Sequence, residues 1–260
     1  DYSYYCEDRD ASYSESCWQN REPVSFIKAY DYTPYLSFYD YVSNKMTKLY
    51  GTSIAKSKVP FYGAELEVEC NDDYMNEYAE EISHYGGSEE KYFYCKRDGS
   101  LSNGFEICFM PMTFQAIRNL DIDEAILKHR GRDKLQSYNT STCGMHIHIN
   151  RESFTDHHLF KFISFIHEFK SLVYLISQRK KVGELNQYSR FNNSFKDRAK
   201  KKMVDSIKEK RSSYDRNKDV VNYKGKGNHT TAIYGDKYVP VNLQHGSTIE
   251  VRVFKGNLIE

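Results

Sequence analysis

The sequence predicts an α+β fold with one curved, mainly antiparallel sheet that has a charged concave face and helices on its other face. From Pro60 onward, short segments of alternating polar and apolar residues are separated by longer segments of helical period. Three short segments place polar side chains on one face and apolar side chains on the other. The stretch 155–178 carries a broad apolar stripe at helical spacing, which is suited to packing across a sheet.

The chain is predicted to consist of a Tyr-rich N-terminal appendage, residues 1–57, and a main domain, residues 58–260. The appendage has no sustained periodicity, so we expect it to wrap around or dock on the main domain. The candidate strands are 62–69, 92–97, 104–109, 144–150, 238–243 and 247–254. The candidate helices are 73–84, 113–129, with Thr113 as its N-cap, and 155–178. The Lys- and Arg-rich stretch 193–226 is predicted to be an exposed helix followed by a flexible lid or loop.

The composition excludes several classes of protein. A hydrophobic content of 39% with 15 Phe and 23 Tyr is typical of a globular protein, and a net charge of +1 gives no global attraction to nucleic acid. No apolar run reaches the roughly 20 residues that span a bilayer, so no membrane partner is expected. The six cysteines form no C-x-x-C pair, which favours reduced thiols and a cytoplasmic location.

The segment GAELEVEC places three carboxylates on one face of a predicted strand. Alternation puts Glu65, Glu67 and Glu69 on one side and three apolar residues on the other. Like charges on one face repel, so the pattern is costly unless water, basic partners or cations compensate. A solvated outer face explains this strand equally well when it is considered alone.

The segment CGMHIHIN places His146, His148 and Asn150 on one face of another predicted strand. Imidazoles two residues apart on a strand can converge on one ion, and neutral histidine suits Zn or Mn more readily than Mg. Packed histidines that are held by hydrogen bonds are the alternative.

Two further segments add acidic and basic groups. STIEVRVF places Glu250 and Arg252 on one face, although an ion pair between them is the simpler interpretation of that segment alone. KRDGSLSNGFEICF places Asp98 before a Gly-Ser turn and Glu106 on the strand that follows. Carboxylates from four strands together with a histidine can hold two or three divalent cations. Such clusters suit phosphoryl transfer, in which Arg252 is our candidate for stabilising the charge that develops.

The order of these segments resembles the phage- and bacterium-encoded amidoligases, which are ATP-dependent carboxylate–amine ligases of the glutamine synthetase and glutamate–cysteine ligase fold. The resemblance spans about residues 60 to 257, through GAELEVE, DGS with GFEI, CGMHIHIN, VPVN and TIEVRVF. GMHIH is similar to the histidine strand of glutamine synthetase, and IEVR to its strand with a metal ligand and an arginine. YDYTPYLSFY resembles the lead-in of phage-type members. The resemblance implies a catalytic domain like that of glutamine synthetase over residues 58–260.

The resemblance also implies ATP and Mg²⁺ or Mn²⁺ as cofactors. One ion would bind Glu67, Glu106 and Asp98. Another would bind Glu65, His146 and Glu250, and both would bridge the ATP phosphates. Arg252 would meet the transferred phosphoryl group or the acyl phosphate. Further implied ligands of nucleotide, phosphate or substrate are His148, Arg190 in YSRFN and Asn242 in VPVN.

The implied reaction joins a carboxylate to an amine, each from an amino acid, a peptide or a protein. The carboxylate attacks the γ-phosphate of ATP to give an acyl phosphate and ADP, and the amine then attacks the activated carbonyl. Glu69 is the candidate acceptor for the amine proton. If the protein is encoded by a phage, its location would be the host cytoplasm.

Three alternatives remain open at this point. The same histidines and carboxylates could serve a metal-dependent hydrolase in which bound water is the nucleophile. The basic segment 179–226 could form a nucleic-acid-binding surface, which the near-zero net charge makes less favourable. Cys6 and Cys17 could contribute to a zinc module, although no paired-cysteine spacing supports one.

Overall fold

The computed structural model describes residues 3–6, 11–14, 25–50, 58–70, 73–179, 189, 191, 197, 201 and 239–258. Within this part of the chain, an eight-stranded sheet forms the framework. Its strands are β3 (Ile27–Lys28), β6 (Tyr62–Cys70), β7 (Phe93–Lys96), β8 (Gly104–Phe109), β9 (Leu135–Gln136), β10 (Gly144–Asn150), β11 (Val241–Asn242) and β12 (Thr248–Lys255). Their order is β11-β12-β10-β6-β8-β7-β3, with β9 paired to β6. Only the β3–β7 pair is parallel, so the predicted α+β class with a mainly antiparallel sheet is confirmed.

Two hairpins precede or flank this sheet. Strands β1 (Ser3–Cys6) and β2 (Ala11–Ser14) form the first, and β4 (Phe38–Val42) and β5 (Lys45–Leu49) form the second. The second hairpin turns at Ser43 and Asn44, which both have positive φ, as a tight two-residue turn between antiparallel strands requires. Its Tyr39 is buried and receives a backbone hydrogen bond from Thr113. This part of the predicted appendage therefore packs on the main domain.

All six predicted strands are present. Five of them match the structure to within one or two residues at each end, because each alternates polar and apolar residues between the two faces. The predicted strand 238–243 is shorter than expected, since Val241–Asn242 is the part of it that forms a strand among the described residues 239–243.

The helices follow the predictions less closely. The observed helices are α1 (Met75–Ser83), α2 (Phe114–Arg118), α3 (Ile122–Ala125), α4 (Asp156–Glu168) and α5 (Lys170–Ser177). Thr113 caps α2 as predicted, because its hydroxyl accepts a hydrogen bond from the Ala116 N–H. The prediction of a single helix over 113–129 is wrong. Asp121 begins a new helix by accepting from the Glu124 N–H, and a 3-10 turn follows at Leu127–His129.

The predicted helix 155–178 is divided in two by a kink. Thr155 caps α4, and the break lies at Phe169, whose φ of −98° and ψ of 40° are not helical. Hydrogen bonds of helical spacing continue on both sides, from Phe169 to Phe165 and from Val173 to Phe169. The residue is neither Gly nor Pro, so nothing in the sequence marks this kink.

The hydrophobic core lies between the helices and one face of the sheet. Val68, Ile107 and Phe93 pack with Ile82 of α1 in one cluster, while Ile249 and Val251 pack with α4 and α5 in another. Strand register places these sheet residues on a common face, opposite the acidic positions of the same strands. None of the described helices has the length and apolar character needed to cross a membrane.

The stretch 193–226, predicted to be an exposed helix followed by a lid or loop, lies outside the described residues apart from Asp197 and Lys201. These two residues are helical and exposed. The cysteines of the proposed zinc module also lie outside the described part, in the case of Cys6 by its side chain and in the case of Cys17 entirely. Most of the basic segment 179–226 is also outside it.

Candidate functional site

Strand register brings the predicted acidic and histidine positions to one face of the sheet. In the β6–β8 ladder Glu67 lies opposite Glu106, and in the β6–β10 ladder Glu65 lies opposite His146. Partners opposite each other in a ladder share a face, with Cβ atoms about 5 Å apart. Three strands therefore place four potential metal ligands next to one another.

The two flanking strands extend the same face. Glu250 on β12 lies opposite His148 on β10 and opposite Asn242 on β11. On the other side of the site, Lys96 on β7 lies opposite Glu106. The ladder between β10 and β12 shifts register between Met145 and Ile147, so an irregularity flanks His146.

A pocket of about 270 Å³ opens on this face. Its lining includes eight of the predicted site residues, namely Glu65, Glu67, Asp98, Glu106, His146, Asn242, Glu250 and Arg252. Most of the site residues that were predicted from the sequence therefore line one pocket.

Glu65 lies between cationic and imidazole groups. Its Oε2 is 3.4 Å from His146 Nδ1 and 3.4 Å from His148 Nε2, and its Oε1 is 3.4 Å from Lys96 Nζ. Burial alone would raise the pKa of this carboxyl, but its interactions with the two imidazoles hold the pKa well below the usual range. Glu65 is therefore anionic at neutral pH, as a carboxylate that binds a metal ion must be.

Glu106 and Asp98 form an acidic pair. Burial, assisted by the charge of Glu65, raises the pKa of Glu106 to about 9. The Asp98 carboxyl group lies beside Glu106, and their interaction further raises the pKa of Glu106 while it lowers the pKa of Asp98. Asp98 also accepts from the Ser100 N–H at 2.8 Å, and its pKa is lowered despite partial burial. Glu106 is therefore the member of the pair that holds a proton more readily.

Glu250 is almost fully buried and lies among four polar partners. Its Oε1 accepts a hydrogen bond from Arg252, and its Oε2 accepts from Asn242 Nδ2 at 2.7 Å and lies 3.1 Å from His245 Nε2. Burial would raise its pKa, but the His245 contact and the Arg252 charge lower the pKa to about 2. His146 Nδ1 lies 3.5 Å from Oε1. The ion pair that the sequence left open is present, and it lies within the site.

Glu67 is held by the start of β10. Its Oε2 accepts a hydrogen bond from the Gly144 N–H, and a Cβ at Gly144 would lie 3.3 Å from that oxygen. Burial raises the pKa of Glu67, while His146 and the Gly144 N–H oppose the rise. Arg179 Nη2 would lie 3.4 Å from the same Cβ. A second arginine side chain therefore lies beside Gly144 and Glu67 in the pocket.

Three predicted residues lie apart from the pocket or outside the described chain. Glu69 accepts a hydrogen bond from Thr142 and is not among the described residues that line the pocket. His148 is not among them either, and its Nδ1 lies 3.3 Å from Thr248 Oγ1. Arg190 is outside the described residues.

The pocket residues that the sequence analysis missed include Tyr30, Lys96, Arg179 and His245. Lys96 could have been found, because alternation along YFYCKR puts it on the face that Glu106 shares. Arg179 carries no such signal. Its guanidinium is placed by the carbonyl oxygens of Val253 and Phe254, at 3.1 and 2.9 Å, from a distant strand.

The ligand atoms at the site suit divalent cations. Three overlapping groups have ligand atoms within 4.8 Å of one another: Glu65–Glu106–His146, Glu65–His148–Glu250 and Glu67–Asp98–Glu106. Carboxylate oxygens are the ligands that Mg²⁺ and Mn²⁺ take in proteins, and imidazole nitrogens are taken more readily by transition metals than by Mg²⁺. The buried Oε2 of Glu106 makes no hydrogen bond within the described part of the chain, although the ammonium group of Lys96 lies 3.1 Å from it.

Residues 43–259 match the model of a protein family described as "Putative amidoligase enzyme". The match covers well over half of the chain and includes every strand that lines the pocket. Comparison with curated proteins and with solved structures found no match. The resemblance to glutamine synthetase and to phage members in particular stays a prediction. The chain belongs to the amidoligase family.

Proposed function

We propose that this amidoligase is an ATP-dependent carboxylate–amine ligase that works through an acyl phosphate and releases ADP. One observation carries the proposal. Five carboxylates and two histidines from a single sheet face form three overlapping ligand groups, with Arg252 beside them. Such an arrangement can bind a triphosphate through divalent cations and stabilise the charge on the group transferred. The family match favours neither a hydrolase nor a nucleic-acid-binding protein.

The acidic residues would hold Mg²⁺ or Mn²⁺. Glu67, Asp98 and Glu106 form one group of ligands, and Glu65, His148 and Glu250 form another. When bound, the ions would neutralise the charge of the ATP phosphates and polarise the γ-phosphate toward attack. The second group contains His148 where the resemblance implies His146. Both imidazoles lie 3.4 Å from Glu65, so either is within reach of a shared ion.

Arg252 is the residue we assign to the transferred phosphoryl group. Its guanidinium is held in the pocket by the hydrogen bond to Glu250, whose depressed pKa keeps that carboxylate ionised at any physiological pH. Asn242 in turn orients Glu250. A preorganised arginine stabilises developing negative charge without having to reorganise during the reaction. Arg179, fixed by two backbone carbonyl groups, supplies a second cation on the Glu67 side.

The second step requires a group that accepts the amine proton. We keep Glu69 as the candidate, because its carboxylate is hydrogen-bonded to Thr142, whose side chain lines the pocket. The substrates would be a carboxylate and an amine from an amino acid, a peptide or a protein. We also propose a cytoplasmic location, that of the host if a phage encodes the protein. The four described cysteines are free and buried, which supports a reducing compartment.

Trapping with hydroxylamine tests the proposed intermediate. Hydroxylamine replaces the unknown amine and converts an acyl phosphate to a stable hydroxamate, so pooled carboxylates can be screened with ATP and magnesium. We expect hydroxamate and ADP in equal amounts, with no product from Glu67→Ala protein. Hydroxamate accompanied by AMP and pyrophosphate would contradict the acyl phosphate, because it indicates an acyl adenylate.

A further inference from the structure

A lysine side chain reaches the middle of the acidic face. Lys96 Nζ lies 3.1 Å from Glu106 Oε2 and 3.4 Å from Glu65 Oε1, and its side chain is only 16% exposed. It extends from β7, where Lys96 lies directly opposite Glu106 in the ladder. The ammonium group is therefore placed by a strand of the sheet and not by a surface loop.

The two carboxylates that Lys96 contacts have a particular place among the ligand groups. Glu65 and Glu106 together belong to the central group, with His146, while each of them also belongs to one of the two outer groups. Lys96 thus bridges the two acids that a central ion would need.

The contact with Glu65 leaves its second oxygen available to an outer group. Glu65 faces Lys96 with Oε1, whereas its Oε2 faces the imidazoles of His146 and His148. An ammonium and a divalent ion between the same two carboxylates would repel each other at close range. An ion in the central group would therefore have to displace Lys96, while ions in the outer groups would not.

We propose that Lys96 serves as a built-in cation in the central group, so that this site takes two divalent ions where its ligands could hold three. The inference rests on the proposed metal-dependent function and deepens it. The lysine charge would extend the row of positive charge along the bound phosphates, and it would pair with Glu65 before metal binds.

The number of Mn²⁺ ions bound tests this proposal directly. Free Mn²⁺ is measured by electron paramagnetic resonance during titration of wild-type protein and of the Lys96→Met and Lys96→Gln variants. We expect two ions for wild type and three for at least one folded variant, as judged by circular dichroism. Lys28→Met is the matched control, since Lys28 lies beside Lys96 on β3 but pairs with Glu89, and it should keep two ions.

The possible outcomes distinguish failure of the role of Lys96 from failure of the proposed metal site. Three ions in both wild type and variants, or two ions in both, would overturn the role of Lys96 while leaving the metal site in place. No Mn²⁺ bound by any protein would overturn the metal site of the proposed function and this inference with it.

Discussion

Glu106 is the residue whose charge should change most when metal binds. In the protein without metal its pKa of about 9 keeps it protonated at neutral pH. A carboxyl group must lose its proton to ligate a cation, so binding should release a proton near pH 7. The cost of that release falls as the pH approaches 9, and metal affinity should therefore rise with pH.

This proton release is our first prediction. Titration calorimetry with Mn²⁺ at pH 7.5, in buffers with different ionisation enthalpies, should give apparent enthalpies that correspond to about one proton released per protein. The observed affinity should increase between pH 6.5 and pH 8.5. Apparent enthalpies that do not depend on the buffer would contradict the protonated state of Glu106.

Glu106 and Glu250 should have opposite effects on stability. Between pH 4.5 and about 9, folded Glu106 holds a proton that the unfolded chain releases, so its contribution to stability falls as pH rises through this range. Glu250 has its pKa lowered to about 2, so its contribution is fully present above pH 4.5 and is lost as pH falls toward 2.

The opposite pH dependences of the contributions of Glu106 and Glu250 to stability give a second prediction, for two matched substitutions. At pH 8 with EDTA, Glu106→Gln should stabilise the metal-free protein by about 0.5–2 kcal/mol, the gain that single stabilising substitutions commonly give. Glu250→Gln should destabilise it, because Arg252 and His245 lose an anionic partner. Thermal unfolding at pH 8 and pH 5 provides the measurement, and the gain from Glu106→Gln should shrink at pH 5. A loss of stability at pH 8 in both variants would contradict the assignment.

At the scale of elements, the contact between β6 and β8 determines how close the acidic residues lie. Gly104 begins β8 opposite Glu69, and a Cβ there would lie 2.0 Å from the carbonyl oxygen of Val68. That atom belongs to the backbone of the neighbouring strand, so it can move only if the two strands separate. The Glu67–Glu106 pairing two residues further along depends on the same ladder.

Gly104→Ala is therefore our third prediction. We expect it to lower the free energy of unfolding by about 1–3 kcal/mol, as overpacking at a rigid site does. Urea denaturation measures the change, and Gly99→Ala is the control, since a Cβ at Gly99 meets no atom within 4 Å. Equal unfolding midpoints for the two variants would show that the β6–β8 contact is not tight.

The strands and their polar faces could be predicted because alternation is a local property. Glu65, His146 and Glu250 fall on one face in the sequence pattern and in the strand register alike. The ends of helices were harder to predict. The side chain of Asp121 competes for the backbone and starts a new helix, and the kink at Phe169 has no mark in the sequence.

Residues placed by distant backbone groups could not be predicted. Arg179 enters the pocket because carbonyl oxygens of β12, about 75 positions away in the chain, hold its guanidinium. Arg151 is buried for a similar reason, since it donates to the carbonyl oxygens of Leu243 and His245 and so anchors the segment that carries His245. Such placements depend on long-range topology that no local period contains.

At the scale of the whole molecule, the sheet separates two functions of the chain. Its apolar face packs against the helices and stabilises the fold, while its polar face is left to concentrate negative charge. The 36 acidic and 37 basic residues nearly balance over the chain, so the acidity of the pocket is local. Tyr30, from the N-terminal region, also lines the pocket. The N-terminal region therefore contributes to the site as well as to the fold.

Our fourth prediction concerns the complete site. Glu67→Ala and Arg252→Ala should each lower ATP turnover at least about 100-fold, the loss typical when a preorganised electrostatic group is removed. Circular dichroism should show that both variants stay folded. Glu152→Ala is the control, because Glu152 forms an exposed pair with Lys58 and should leave turnover unchanged.

Phosphorus NMR of ATP follows the proposed reaction itself. The purified protein is incubated with ATP, magnesium or manganese, and pooled amino acids and amines, beside the Glu67→Ala and Arg252→Ala variants. We expect ADP and phosphate to form with wild type alone, at a rate that depends on the substrate pool. ATP turnover at the wild-type rate in both variants would contradict the assignment of the site, and amide formation without any consumption of ATP would contradict the proposed reaction.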